Sequence, residues 1–228
     1  MRSHHSPNSV QAWFGMDSED QYLSNRQHRA DLLREQGWWE PAEIEYRFNR
    51  HGFRSAEFGS GPGTLFLGCS FTMGVGVAYQ DTWAHIVSCA LGTACWNLGQ
   101  GGGSMDTCFR LAEHWIPRLR PGRVVLLTPP QDRWELIDAD GLPKRFSVHD
   151  SDDPISRKWL EHPENARLNH LRNRLAIRAL CDLESVPLSE WSYADLPANG
   201  SLGRDLSHPG IEAHRRFAVK VISQIRPQ

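Results

Sequence analysis

The chain has 228 residues, a formal net charge of -2 and 39% hydrophobic residues, which fits one folded α/β domain with a proper core. The near-neutral charge provides no global basic field, so we expect neither a nucleic-acid partner nor attraction to an anionic membrane. No apolar run approaches the roughly 18 residues of a membrane span, and the polar start lacks the apolar core of a signal peptide, so we expect a cytoplasmic protein.

The cysteines and acidic residues indicate no metal site. The five cysteines are odd in number and form no C-x-x-C pair, so neither a disulfide framework nor a structural zinc site is expected. Residues 149–153 carry a histidine and three aspartates that suit a divalent cation. They lack the spacing of a known cation loop, and a solvated loop is the favoured interpretation.

The first 60 residues are predicted to form a tail and an accessory segment ahead of an α/β domain at 61–228. Residues 1–20 have the composition of a loose tail, and residues 20–36 have that of a helix. Alternating apolar and polar residues at 44–48 then predict a short strand.

In the main domain, apolar strands alternate with amphipathic helices. The predicted strands are 64–67, 94–98, 123–128 and 186–188. The predicted helices are one capped by Asp81 and ended at Gly92, one capped by Ser104 and kinked or ended early by Pro117, one marked by Leu168, Leu171, Leu175 and Ala179, and one over 211–225. This alternation predicts a mainly parallel sheet covered on both faces, a three-layer α/β/α sandwich.

Residues 138–158 interrupt this pattern. They are polar and broken by glycine and proline, so they are predicted to form an insertion or lid loop.

A serine follows the first buried strand of the main domain, in the run Leu67-Gly68-Cys69-Ser70. Sites in α/β folds lie at the carboxyl ends of strands, so Ser70 is the candidate nucleophile. Cys69 is a rival, and because adjacent residues leaving a strand tend to point opposite ways, only one of the two should face the site. An ordinary Gly/Ser turn is the alternative interpretation.

An acid and a histidine stand three residues apart in the run Asp205-Leu206-Ser207-His208-Pro209. The carboxylate can accept from one imidazole nitrogen and leave the other to take the proton of a serine. With Ser70 these groups form a set that can perform acyl transfer. Alternatively, Asp205 and Ser207 only cap the following helix, and His208 is an ordinary surface residue.

Together these motifs resemble the SGNH hydrolases, also called the GDSL esterase family, over roughly residues 44–225. The first block stands as Gly-Cys-Ser-Phe-Thr-Met-Gly-Val-Gly-Val at 68–77, with Cys69 in place of an aspartate that is not a triad member in the family. The second block resembles 97–104, Asn-Leu-Gly-Gln-Gly-Gly-Gly-Ser. The last block, Asp-x-x-His-Pro, is intact at 205–209.

The resemblance implies an SGNH or flavodoxin-like form of the sandwich, with a triad of Ser70, His208 and Asp205. It also implies an oxyanion hole made by the backbone N–H groups of Ser70 and Gly102. Gln131 falls where the family has an asparagine, and it carries the same amide donor on a longer arm. If Gln131 does not substitute, the hole lacks one donor, which typically costs about 100- to 1000-fold in rate.

Arg133 and Trp134 follow the third strand of the main domain and are candidate substrate-binding residues for an anionic or sugar group, although packing also explains the tryptophan. The expected activity is hydrolysis of a short acyl ester, such as an O-acetyl ester of a small molecule or carbohydrate, without a cofactor. Two alternatives stay open. One is an O-acyltransferase that uses a sugar hydroxyl instead of water. The other is a catalytically degenerate binding module. The changes at Cys69 and Gln131 favour it slightly, and the intact Asp205-His208 pair with Ser70 argues against it.

Overall fold

The computed structural model describes residues 5–59, 61–148 and 152–225. Its strands are β1 (Val10–Gln11), β2 (Tyr46–Arg47), β3 (Gly63–Leu67), β4 (Ala94–Asn97), β5 (Arg123–Thr128), β6 (Trp134–Ile137), β7 (Pro143–Phe146) and β8 (Leu188–Ser192). Its helices are α1 (Glu19–His28), α2 (Ala30–Glu35), α3 (Ser70–Met73), α4 (Trp83–Leu91), α5 (Met105–Leu119), α6 (Pro154–Leu160), α7 (Pro163–Leu183) and α8 (Ile211–Ile225).

Four parallel strands form the central sheet, in the order β4-β3-β5-β8. Alternate residues of β3 point to opposite faces, so Leu65 and Leu67 pack with helices α5 and α7, whereas Phe66 packs with α4 and α8. Both faces are therefore buried, which explains why β3 and β5 are almost wholly apolar. The predicted three-layer α/β/α sandwich is confirmed.

Two helix boundaries differ from the prediction. Helix α4 is capped by Thr82, whose Oγ1 accepts the His85 N–H at 3.3 Å, while Asp81 lies in the preceding 3-10 turn. Helix α5 does begin after Ser104, but it runs past Pro117 to Leu119. A proline in the last turn removes only one helical hydrogen bond, so it does not end the helix.

The predicted helix marked by leucines is α7, but these leucines do not lie on its buried face. Leu168, Leu171 and Leu175 are exposed, at 52%, 40% and 51%. The buried face instead carries Asn169 and Asn173, whose Nδ2 groups donate to the carboxylate of Asp106 on α5, each at 2.8 Å. Ile177 and Cys181 lie on the same face and join the core, so hydrogen bonds and apolar packing together bury this face of α7.

The predicted loop at 138–158 contains regular structure. Strands β6 and β7 form an antiparallel hairpin, and helix α6 follows at the end of the region. The hairpin is anchored by a buried ion pair in which Arg110 Nε donates to Glu135 Oε1 at 2.5 Å. The last strand lies further along the chain than the predicted 186–188, because β8 begins at Leu188 and pairs with β5 up to Ser192.

Residues 5–20 are packed against the rest of the protein rather than loose. Strand β1 pairs antiparallel with β2, and Asp17 is 1% exposed. Apolar residues of the N-terminal segment pack against Met73, Val75 and Leu206. Division of the chain at residue 60 stays a prediction.

Two further findings concern sites that the sequence left open. Residues 149–151 of the candidate cation run lie outside the described residues, and the described part holds no group of three or more histidine, cysteine or acidic side chains placed to bind a metal ion. Among the described helices, none combines the length and apolar character needed to cross a bilayer.

Candidate active site

Ser70 is the first residue of α3 and stands at the carboxyl edge of the central sheet. The turn before it requires glycine, because a β-carbon on Gly68 would lie 2.1 Å from Thr72 Oγ1 and 2.9 Å from the carbonyl oxygen of Leu127. Ser70 is 6% exposed and Cys69 only 1%. The structure thus places Ser70 where the sequence predicts the nucleophile, and the burial of Cys69 favours a packed residue.

Asp205 and His208 are joined through several hydrogen bonds. His208 Nδ1 lies 2.5 Å from Asp205 Oδ2, and the backbone N–H groups of Ser207 and His208 donate to Asp205 Oδ1 at 3.1 and 3.0 Å. Burial alone would raise the pKa of the Asp205 carboxyl, but these hydrogen bonds and the histidine hold it below its usual range. The carboxylate is therefore ionised and oriented toward the imidazole.

The loop around these two residues is tightly wound. Leu206, between them, has a left-handed backbone with φ of 54°, and its side chain is buried. The N–H of Leu206 donates to the Gly203 carbonyl at 2.9 Å, and the N–H of Gly203 donates to the His208 carbonyl at 2.8 Å. A left-handed leucine costs roughly 1–2 kcal/mol, so the surrounding contacts must impose this conformation.

The segment that begins at Ser70 packs directly on this loop. The Phe71 and His208 rings are 5.7 Å apart in an edge-to-face arrangement, and the Arg204 N–H donates to the Gly76 carbonyl at 2.9 Å. A β-carbon on Gly76 would lie only 3.1 Å from Asp205 Oδ1. Within the described residues no hydrogen bond links Ser70 Oγ to His208. The fold thus brings the two segments together but does not form the hydrogen bond through which Ser70 would pass its proton to His208. In enzymes this bond is often long until substrate binds.

A third segment, at 97–103, meets the same edge of the sheet. Asn97 Nδ2 donates to the Thr72 carbonyl at 2.8 Å, and the Gln100 N–H donates to the Gly68 carbonyl at 3.1 Å. Gly102 is exposed at the tip of this segment. The loop with the predicted oxyanion donor is therefore fastened to the turn that presents Ser70.

Gln131, Arg133 and Trp134 lie on the approach to β6. Gln131 is exposed, and the structure shows no hydrogen bond from its side chain to another described residue. Arg133 is half-buried and lines a cavity of about 510 Å³ that Gly102 also lines. The Trp134 ring stacks on Phe146 and Trp159, so packing accounts for the tryptophan.

Sequence reasoning missed a buried ion pair beside the loop of Asp205. Arg204 donates from Nε and Nη2 to the carboxylate of Asp17 at 2.9 and 2.8 Å, and both side chains are at most 3% exposed. The Tyr46 hydroxyl donates to Asp17 at 2.6 Å and accepts the Gly76 N–H at 2.8 Å. Only the position of Arg204 next to Asp205 hinted at this role.

Arg54 is a second buried cation that supports the site. It donates to the carbonyls of Gly74 at 2.5 Å, Val77 at 2.9 Å and Glu45 at 3.0 Å, and it lies 4.2 Å from the centre of the Tyr46 ring. Burial lowers the pKa of Arg54 to about 10, which leaves it charged at neutral pH. It fixes the chain that follows Ser70.

Side chains of the N-terminal segment also hold the loop of Asp205 by its backbone. Asn25 Nδ2 donates to the Asp205 carbonyl at 3.1 Å, and Trp38 Nε1 donates to the Leu202 carbonyl at 2.8 Å. Gln36 accepts the Leu202 N–H at 2.7 Å and donates to the Gly200 carbonyl at 2.8 Å. The accessory segment is thus part of the support of the candidate site.

Comparisons with known proteins give similarities at low identity. No family model matches the chain, and no curated protein matches it. Among solved structures, the chain is similar to the psychrotrophic esterase EstA from Pseudoalteromonas sp., with 14% identity, a TM-score of 0.42, and coverage of 72% of this chain and 97% of that one. It is similar to a member of the lipolytic protein G-D-S-L family from Veillonella parvula, with 14% identity, a TM-score of 0.39, and coverage of 71% and 97%.

A third similar structure is a carbohydrate esterase family 2 enzyme with a carbohydrate-binding domain from Corynascus thermopiles (Myceliophthora fergusii). The identity is 15%, the TM-score 0.41, and the coverage 77% of this chain and 68% of that one. The first and third of these proteins are named as esterases, and the second is named as a member of the G-D-S-L family. The motifs of this chain resemble that same family.

Proposed function

We propose that this chain is a serine hydrolase of the SGNH type that cleaves a short acyl ester of a small molecule or carbohydrate. The observation that carries the proposal is the 2.5 Å contact between His208 Nδ1 and Asp205 Oδ2, packed against the segment that begins at Ser70. A buried carboxylate, an oriented imidazole and a serine at the carboxyl edge of a parallel sheet are the groups that acyl transfer needs.

The arrangement supports a defined order of proton transfers. Because His208 Nδ1 is bonded to Asp205, the imidazole has Nε2 left to accept the Ser70 proton. Ser70 Oγ then forms a bond to the ester carbonyl carbon, and the alcohol leaves with that proton. Water next gives a proton to His208 and adds to the acyl-enzyme, and Ser70 recovers the proton as the acid is released.

Backbone donors are available for the oxyanion. The Ser70 N–H belongs to the first residue of a helix, which has no acceptor within the helix, and Gly102 N–H is at an exposed loop tip. Neither N–H makes a hydrogen bond in the described part of the chain. The side chain of Gln131 is the third proposed donor, and its exposure leaves it free to turn toward a bound ester.

Active-site labelling tests the proposal. We expect a fluorophosphonate probe to label the unaltered protein at Ser70 and peptide mapping to lose that label in Ser70→Ala. Ser207→Ala serves as the matched control, because Ser207 is an exposed serine in the loop of Asp205. Cys69→Ala should keep the label.

Contrary results would each have a definite meaning. A folded protein that takes no label and turns over no acetyl ester would contradict the hydrolase. Loss of activity in Cys69→Ala with retention in Ser70→Ala would assign the chemistry to the thiol. Transfer of acetyl to an added sugar faster than to water would make the protein an O-acyltransferase.

A further inference from the structure

The cavity beside Gly102 has an unusual charge. It has a volume of about 510 Å³, and its lining includes three basic residues, Arg133, Lys144 and Arg145, against one acid, Asp132. Lys144 is already paired with Asp153 at 3.1 Å. The two arginines have no carboxylate within ion-pair distance among the described residues. The cavity therefore holds uncompensated positive charge.

The hydrogen bonding of the two arginines is also incomplete. Arg133 Nη1 is buried and has no hydrogen-bond partner among the described residues. Arg145 uses Nη1 to donate to the Gly101 carbonyl, and the described residues accept no other hydrogen bond from it. Guanidinium groups present five donors in a planar fork that matches carboxylate, phosphate and sulfate oxygens. These two therefore have donors available for an anion.

The protein scaffold holds these donors in place. Strand β6, which follows Arg133, is anchored by Glu135 to Arg110, so the hydrogen bonds of this carboxylate go to Arg110 and not to Arg133 or Arg145. Arg145 stands on β7, the other strand of the hairpin, and contacts the loop that carries Gly102. A hairpin fixed in this way presents both cations to one cavity, next to the proposed oxyanion donor.

We propose that this cavity binds an anionic group of the ester substrate, a carboxylate, phosphate or sulfate, through Arg133 and Arg145. The inference rests on the proposed hydrolase, because Gly102 places the cavity next to the reacting carbonyl. The Asp132 carboxylate shares the lining, and its Oδ1 is buried without a partner among the described residues. Asp132 therefore selects against an anion at its own end and accepts a hydroxyl group of the substrate instead.

Two pairs of esters test this subsite with the full chain. 4-Acetoxybenzoate and its methyl ester differ in charge on the alcohol side, and mono-4-nitrophenyl succinate and its methyl ester differ on the acyl side. For each pair the ratio of kcat/KM, anionic over neutral, is compared between the unaltered protein and its variants, so that differences in intrinsic reactivity cancel.

We expect Arg133→Gln to lower this ratio about tenfold or more for one of the two pairs, because a charge-assisted hydrogen bond is lost. Arg133→Lys should keep part of the preference. Arg145→Gln should lower the ratio as well, and it should also slow the neutral ester, because Arg145 holds the Gly101 carbonyl. Arg167→Gln, which removes an exposed arginine from α7, is the matched control and should change nothing.

A ratio that stays within twofold in both Arg133→Gln and Arg145→Gln, for both pairs, would overturn the subsite and leave the hydrolase intact. If the protein neither takes the fluorophosphonate label nor turns over an ester, the hydrolase fails, and calorimetric titration with 4-acetoxybenzoate decides the subsite separately. Binding that Arg133→Gln weakens about tenfold supports the subsite, and absence of binding to the unaltered protein overturns it.

Discussion

Two regions meet at the candidate site, and they differ in how fully their polar groups are paired. In the loop of Asp205, Arg204 donates to Asp17 and to the carbonyls of Ala12 and Ala42, so its guanidinium is surrounded by acceptors. In the cavity beside Gly102, Arg133 keeps a buried nitrogen without a partner among the described residues. Each region contains an arginine. All three guanidinium nitrogens of Arg204 donate hydrogen bonds, whereas Arg133 has a nitrogen that donates none to the described residues.

This difference separates positioning from recognition. A buried charge with all its hydrogen bonds made holds its surroundings in one geometry, and it has nothing left to offer a ligand. A donor without a partner, on a half-buried side chain such as Arg133, destabilises the free protein and regains that free energy when a ligand supplies the acceptor. The loop of Asp205 therefore positions the proposed base, whereas the cavity beside Gly102 is the proposed site of substrate recognition.

The largest effect is expected from breaking the contact between Asp205 and His208. Asp205→Asn should lower kcat by about 10⁴-fold, because an amide at this position favours the wrong tautomer of His208. Steady-state kinetics on a neutral acetyl ester measures this, and circular dichroism checks the fold. Ser207→Ala is the control. A loss below tenfold would remove Asp205 from the proposed triad.

The next effect is expected on stability. Asp17→Asn leaves Arg204 buried without a counter-charge, which should lower the free energy of unfolding by about 3–5 kcal/mol. Urea unfolding measures this. Asp31→Asn, which breaks the exposed pair of Asp31 with Arg34, should change stability little. Equal effects in the two variants would contradict the positioning role of the buried pair.

We expect low pH to decrease the stability of the protein through His214, which lies close after the loop of Asp205. This histidine follows the loop on α8 and accepts the Trp83 N–H on Nδ1 at 3.2 Å. Burial, with the charges of Arg54 and His208, lowers the pKa of His214 from 6.5 to about 3. The unfolded chain therefore binds a proton between these values and the folded chain does not, so stability falls as pH falls from about 6.5 toward 3.

His214→Gln should remove about 1.4 kcal/mol per pH unit from the slope of stability against pH in that window. Urea unfolding at several pH values measures the slope, which is independent of any constant cost of the substitution. His28→Gln, at an exposed histidine of α1, is the control and should keep the slope. An unchanged slope in His214→Gln would show that His214 does not resist protonation.

The smallest effect is expected in the cavity beside Gly102. Arg133→Gln should change the free energy of unfolding by less than about 0.5 kcal/mol, because the nitrogen it removes has no partner among the described residues. The same urea series measures this beside Asp17→Asn. A loss comparable with that of Asp17→Asn would make Arg133 a structural residue and would erase the contrast between the two regions.

Local patterns were sufficient to predict the elements that contribute the proposed triad. Ser70 follows a run of buried strand residues, and Asp205 and His208 lie within three positions of each other, so a short stretch of chain specifies each part. Asp17 and Arg204 were out of reach, because 187 positions separate them and only folding makes them a pair. The hairpin of β6 and β7 was missed for a related reason. Its anchor Glu135 pairs with Arg110 on helix α5, a contact that only folding creates.

By itself, the sequence determined the alternating strands and helices, and hence the parallel sheet with buried faces, because hydrophobic periodicity is a property of neighbouring residues. Only the tertiary structure decided which face of α7 is buried. That face bonds to Asp106 through Asn169 and Asn173. It joins the core through Ile177 and Cys181. The tertiary structure likewise decided which arginines are satisfied. The reason is physical: a polar group is stabilised inside a protein only by the partner that packing places beside it.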